Sequence, residues 1–125
     1  KFTKKIKSNS NVPLYNNGNH HRDFTYIDDV VRAIDLLILK PPKKPIPYNC
    51  FNIGSNKPQK ITKILNLLEK KLNKKANIIK KGYQKGDVKK TNANLSKIKK
   101  YINFNNKVKI EDGLSNFLKW FKSQQ

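Results

Sequence analysis

Apolar residues recur at helical spacing in several stretches of this chain, separated by short apolar runs and by Asn-, Gly- and Pro-rich breaks. Val30, Val31, Ile34, Leu37 and Ile38 share one face of a helix expected over about Asp29 to Leu39, with Asp28 or Asp29 as its cap. Ile61, Ile64, Leu65, Leu68 and Leu72 predict a second helix over about Gln59 to Asn73. A terminal helix over Ile110 to Lys122 lays Leu114, Phe117, Leu118 and Phe121 against a core, and shorter helices are expected at Phe2 to Lys7 and Leu95 to Tyr101. Between them, Val12 to Tyr15, Arg22 to Thr25, Tyr48 to Ile53 and Asn77 to Ile79 read as strands, the third as a buried one closed by Gly54. The segment Pro41 to Pro47 (PPKKPIP) ends a helix and predicts an ordered connector or exposed loop. Short strands separated by helices give an α/β or α+β class, a small sheet covered by helices.

Length and composition narrow this picture. With 125 residues, one Trp and eleven Phe or Tyr, the chain has material for one domain that buries roughly two-thirds of its unfolded surface. No apolar run approaches the ~20 residues of a membrane span, and the basic N-terminus lacks the apolar stretch of a signal peptide. The single cysteine, Cys50, permits no internal disulfide and fits a reduced, cytoplasmic setting; its apolar neighbours Tyr48, Phe51 and Ile53 predict burial rather than reactivity. The net charge of +20 points first to nucleic acid. Arg22 and Arg32 are the only arginines among 28 basic residues, however, and the lysines are spread over helix faces and loops alike instead of forming a stripe with aromatics. Compositional bias toward Lys, Asn and Ile explains the charge more simply, so no nucleic-acid partner is expected, and a basic nucleic-acid-binding module stands as the alternative function.

The candidate chemistry centres on Arg22, in RDFTYIDDVV. This cation follows the turn Asn16 to Asn19 and precedes a strand-to-helix junction, where α/β proteins present groups to ligands. The plain alternative is a hairpin arginine paired with Asp23. His20 and His21 adjoin it without a third metal ligand at suitable spacing, and read as exposed turn residues.

Four motifs in order, NNG…RDFTYIDDVV, YNCFNIGSNKP, GYQKGDV and IEDGLSNFLKWF, resemble the C-terminal substrate-binding lobe of the extended short-chain dehydrogenase/reductases. Within them the chain is most similar to the NAD-dependent nucleotide-sugar 4-epimerases acting on UDP-glucuronate, with other epimerases and dehydratases of the superfamily as the alternative. The resemblance covers essentially all of residues 1–125. It implies that Arg22 contacts the diphosphate of a UDP-sugar and Asp87 the nucleoside. Gln84 stands where many relatives have Arg and offers an uncharged donor. Pro13 and Tyr15 match the strand along which the uracil packs. Asp23, Asp28 and Asp29 are expected to serve turns and caps. Asn103, Asn106 and Asn94 stand where Gly, Pro and Asp are usual, and Asn suits left-handed and capping positions.

The same resemblance implies partners that this sequence lacks. The family holds NAD in an N-terminal Rossmann domain and uses a Tyr-x-x-x-Lys pair, oxidising C4 of the sugar and returning hydride to its other face. Here the five glycines form no fingerprint, and Asn19, Val30, Asn52, Asp87 and Asn105 follow the tyrosines by four. The expectation is a C-terminal portion of a larger enzyme, inactive alone, a homodimer when full length, with an exposed apolar surface where the Rossmann domain packs.

Overall fold

A computed structural model describes residues 1–43 and 48–124. The expected helices are all present: α1 (Phe2–Lys7), α2 (Ile27–Ile38), α3 (Ile61–Leu72), α4 (Ser96–Ile102) and α5 (Ile110–Ser123). The strands are β1 (Val12–Leu14), β2 (His21–Arg22), β3 (Gln59–Lys60) and β4 (Ile78–Lys80). The class is α/β, but the described strands form two separate pairs. β1 runs parallel to β4, with Val12 opposite Ile78, so α3 crosses over between them. β2 runs antiparallel to β3, with Arg22 opposite Gln59.

Two apolar clusters hold these elements. Ile6 of α1, Val12 of β1, Ile64, Leu65 and Leu68 of α3 and Leu118 of α5 form the first, with Phe2, Phe24, Leu114 and Phe117 packed on it. Ala33 of α2, Leu95, Ile98 of α4 and Phe104 form the second, flanked by Leu36, Leu37, Phe51 and Ile53. The predicted faces of α1, α3 and α5 are thus those that turn inward.

Helix α2 differs from its expectation at both its start and its outer face. Tyr26, not an aspartate, occupies the cap position, and Asp28 and Asp29 fall in the first turn. Asp29 is buried and accepts hydrogen bonds from the backbone N–H groups of Lys107 (3.0 Å) and Val108 (3.1 Å) and from Arg32 (2.9 Å). Arg32 also donates to the Asn105 carbonyl and lies over the Phe104 ring, so this arginine is committed to tying α2 to the 104–108 loop. On the other side of α2, Ile27, Val31, Ile34 and Ile38 are exposed, Ile38 to 70%. Spaced by four, three and four residues, they form one continuous apolar stripe. They leave an exposed apolar surface along α2.

The buried strand expected over Tyr48 to Ile53 is absent. These residues adopt no regular structure, Tyr48 and Cys50 are exposed, and Phe51 and Ile53 alone turn toward the second cluster. A buried strand must pair its backbone N–H and C=O groups, and among the described residues no strand pairs with this run. Most of the proline-rich connector (residues 44–47) lies outside the described residues. No described helix is long and apolar enough to cross a membrane.

Candidate functional site

The turn that precedes Arg22 is built from asparagines. Asn16 and Asn17 have φ of 47° and 51°, within the left-handed region that Asn tolerates better than most residues. Asn16 and Asn17 donate their backbone N–H groups to the carbonyls of Gly82 and Lys81, fixing this turn against the chain that follows β4. Beyond it, His21 is held on both sides: it pairs with β3, while its N–H donates to Lys89 and its C=O accepts from Thr91. Arg22 therefore leaves a backbone with little freedom.

Asp23, the next residue, is an anchor. Its carboxylate accepts from the backbone N–H groups of Ser55 (2.9 Å), Asn56 (3.1 Å) and Ala93 (2.8 Å) and from the Ser55 hydroxyl. Desolvation pushes its carboxyl up, but these donors together outweigh burial and hold it below the usual carboxylate range. Gly54 lies so close that a Cβ there would stand 2.3 Å from the Ala93 Cβ and 2.7 Å from Asp23 Oδ2. The hairpin pairing of Arg22 with Asp23 is thus replaced: Asp23 binds the 54–56 and 91–93 loops, and Arg22 reaches elsewhere.

That other destination is Asp87. Arg22 Nη2 donates to Asp87 Oδ1 at 2.5 Å, and its Nη1 donates to the His21 carbonyl at 3.0 Å. Asp87 is carried by the Gln84–Asp87 turn, in which the Asp87 N–H donates to the Gln84 carbonyl and the Tyr83 hydroxyl to the Asp87 carbonyl. Arg22 and Asp87 line one cleft of about 590 Å³ together with Pro13 and Tyr15. Four of the five residues singled out from the sequence therefore converge. Gln84 does not; its side chain is exposed and outside the lining, and its place in the site is limited to shaping the turn that carries Asp87.

The cleft also contains residues that sequence reasoning passed over. Lys1, just before α1, and Lys5 within it line the cleft, so two more cations share it with Arg22. His20 lines it as well, and instead of being an exposed turn residue it is only 4% exposed. The loop 82–91 folds over β2 and brings Asp87 to within 3.5 Å of His20 Nδ1, which is what removes the imidazole from water. Among the described residues no group of His, Cys, Asp and Glu is placed to hold a metal ion.

In chemical terms the cleft sets a cation against a carboxylate, beside an aromatic ring and a proline. A ligand that carries an anion next to hydroxyl donors, with a flat ring beyond them, would complement it. The chain is similar to several known proteins. A family model described as the NAD dependent epimerase/dehydratase family matches residues 1–54. An uncharacterized protein of Methanocaldococcus jannaschii is 46% identical over 97% of this chain and 36% of its own length. A UDP-glucuronate 4-epimerase of Thermodesulfobacterium geofontis is 36% identical over 98% of this chain and 36% of its own. Among solved structures, the UDP-glucuronic acid 4-epimerase of Bacillus cereus, in complex with UDP-glucuronic acid and NAD, superposes with a TM-score of 0.86. It is 29% identical, over 99% of this chain and 39% of that one. The chain thus spans little more than a third of the length of the curated relatives it matches.

Proposed function

Because the chain belongs to the NAD-dependent epimerase/dehydratase family, we propose that it holds the UDP moiety of a nucleotide sugar for an NAD-dependent UDP-sugar 4-epimerase. UDP-glucuronate is the substrate in this reading, on the strength of the relatives named for it. The observation that carries the proposal is the contact between Arg22 and Asp87, 65 residues apart in sequence, in a cleft shared with Tyr15 and Pro13. A nucleoside diphosphate places phosphate oxygens beside ribose hydroxyls. A guanidinium beside a carboxylate offers donors to the first and acceptors to the second. In this reading Arg22 binds the diphosphate, Asp87 accepts from the ribose, and Tyr15 and Pro13 pack on the uracil. Gln84 contributes through the turn it forms.

NAD is the cofactor in the family description and in the neighbouring complex. The residues of this chain do not fit it. A Cβ at Gly18 would stand 2.5 Å from Thr62, so neither that glycine nor Gly54 leaves an open cradle for a pyrophosphate, while Gly82 and Gly86 lie in an open loop rather than at a strand-to-helix turn. In this reading the chain, residues 1–125, takes no hydride step. Its residues bind and orient, and the groups that carry hydride and move protons belong, in this proposal, to a domain outside residues 1–125, seated on the Ile27–Ile38 stripe.

Calorimetric titration of the intact protein with UDP-glucuronate tests the site. Arg22→Ala removes one or two charge-assisted hydrogen bonds worth about 1.5–3 kcal/mol each, which corresponds to a loss of roughly ten- to a hundredfold or more in affinity. Unchanged affinity would exclude Arg22 from the diphosphate site.

A further inference from the structure

His20 shares the cleft with Arg22 and Asp87 but has no part in the roles just described. Its backbone is pinned, since its carbonyl accepts the Ile61 N–H at 2.9 Å. Its Nδ1 lies 3.5 Å from Asp87 Oδ2, while Arg22 occupies Oδ1 at 2.5 Å, so imidazole and guanidinium divide one carboxylate between them. Its other nitrogen, Nε2, is buried without a hydrogen-bond partner among the described residues. A ring buried to this extent normally has both nitrogens satisfied, and which nitrogen carries the proton is set by what the other one bonds. Here the polar group that can orient the ring is Asp87.

We propose, building on the nucleotide-sugar reading, that His20 is a positioning residue of that site. It holds the carboxylate oxygen that Arg22 does not take, so that Arg22 can turn to the diphosphate while Asp87 stays in place for the ribose. The imidazolium form does this best, because it supplies Asp87 with a second counter-ion. The charged and titratable groups that contact the ring or share its cleft are Arg22 of β2, Asp87 and Tyr83 of the following loop, Tyr15 beyond β1, Lys1 just before α1 and Lys5 within it, with His21 adjoining in sequence. Arg22, Lys1 and Lys5 bring three positive charges to the cleft. An incoming diphosphate neutralises them and favours the imidazolium, so binding takes up a proton. The diphosphate diester of a UDP-sugar does not itself titrate between about pH 5 and 8, where imidazole does, so the proton goes to the protein.

Titration of the intact protein with UDP-glucuronate, in two buffers of different ionisation enthalpy, reads that proton directly. The expected result is proton uptake and an affinity that rises as pH falls, by no more than about tenfold per pH unit, the limit for one proton. His20→Leu should bind more weakly and lose the pH dependence. His20→Gln keeps a donor for Asp87 and should recover much of the affinity without the pH dependence, whereas His21→Gln should retain it. Wild-type affinity and slope in His20→Leu, or loss of the slope in His21→Gln instead, would overturn the proposal. Should the leucine variant fail to fold, the imidazole nitrogen resonances absent from His20→Gln serve in the wild type: a shift on adding UDP-glucuronate supports the assignment, and resonances that do not move overturn it. Binding that is indifferent to His20 removes this inference alone. Absence of UDP-sugar binding by the wild type removes the functional reading beneath it as well.

Discussion

Adjacent in sequence, Arg22 and Asp23 direct their charges to different tasks. Arg22 faces the cleft, where its partner Asp87 leaves part of the fork available to an anion. Asp23 faces two loops and fastens them to β2, and its carboxyl is held below its ordinary value by those donors, as that of Asp29 is by Lys107, Arg32 and Val108 against the opposing effect of burial. A carboxyl lower in the folded than in the unfolded chain contributes stability that is complete above its unfolded value. That stability is lost as pH falls through the folded value. Asp23→Asn should therefore lower stability at neutral pH by about 1.5–3 kcal/mol, the worth of hydrogen bonds to a charged group, and flatten the acid side of the stability curve. Thermal melts between about pH 2 and 7 would show both effects; an acid limb as steep as that of the wild type would refute the assignment. His20 shows the limit of reading residues singly. Two histidines after an Asn-Gly turn suggest exposure, and its burial depends on a loop more than sixty residues away.

Among the secondary-structure elements, the C-terminal ends of α3 and α4 are where sequence and backbone agree most closely. Asn73 and Asn103 end α3 and α4 in the left-handed conformation, with φ of 49° and 50°, a role more often filled by glycine. Asn94, which stands where relatives often have Asp, accepts the Ser96 N–H at 2.9 Å just ahead of α4, whose cap position is held by Leu95. Asn103 directly precedes the fully buried Phe104, so its backbone angle decides whether that ring enters the second cluster. Asn103→Gly is expected to leave the melting temperature unchanged or slightly higher. Asn103→Val forces a β-branched residue into the same angle and should cost about 1–2 kcal/mol in chemical denaturation; equal stability of the two variants would contradict this. The strand expected at Tyr48 to Ile53 is the opposite case. Its apolar pattern is strand-like, yet strand formation needs a neighbour with free backbone groups, which no local pattern supplies.

Over the molecule as a whole, charge and apolar surface are distributed differently. The lysines behind the +20 charge lie on α1, α3, α4, α5, β3, β4 and the loops and none falls in α2, whereas the exposed aliphatic side chains of α2 lie on one line. Such a stripe should make the 125-residue chain bind an apolar dye and self-associate. The double variant Ile34→Glu, Ile38→Glu should reduce both, as read by dye fluorescence and sedimentation, with the buried face of α2 and hence the fold retained; dye binding equal to that of the parent would place the apolar surface elsewhere. The helices, and the inward faces of α1, α3 and α5, were legible from periodicity, because a helix closes its hydrogen bonds locally and its buried stripe is written in the order of its own residues. The apolar face read on α2 was not the buried one, since Val31, Ile34 and Ile38 are exposed. Arg22 and Asp87 were legible as site candidates, through the motifs around them. Pairing was not: that Arg22 meets Asp87 rather than Asp23, that Asp29 turns inward, that His20 is buried and that β1 joins β4 all depend on loops brought together across long sequence separations. Charge partners and burial are properties of distance in space, and those distances exist only once the two cores have packed.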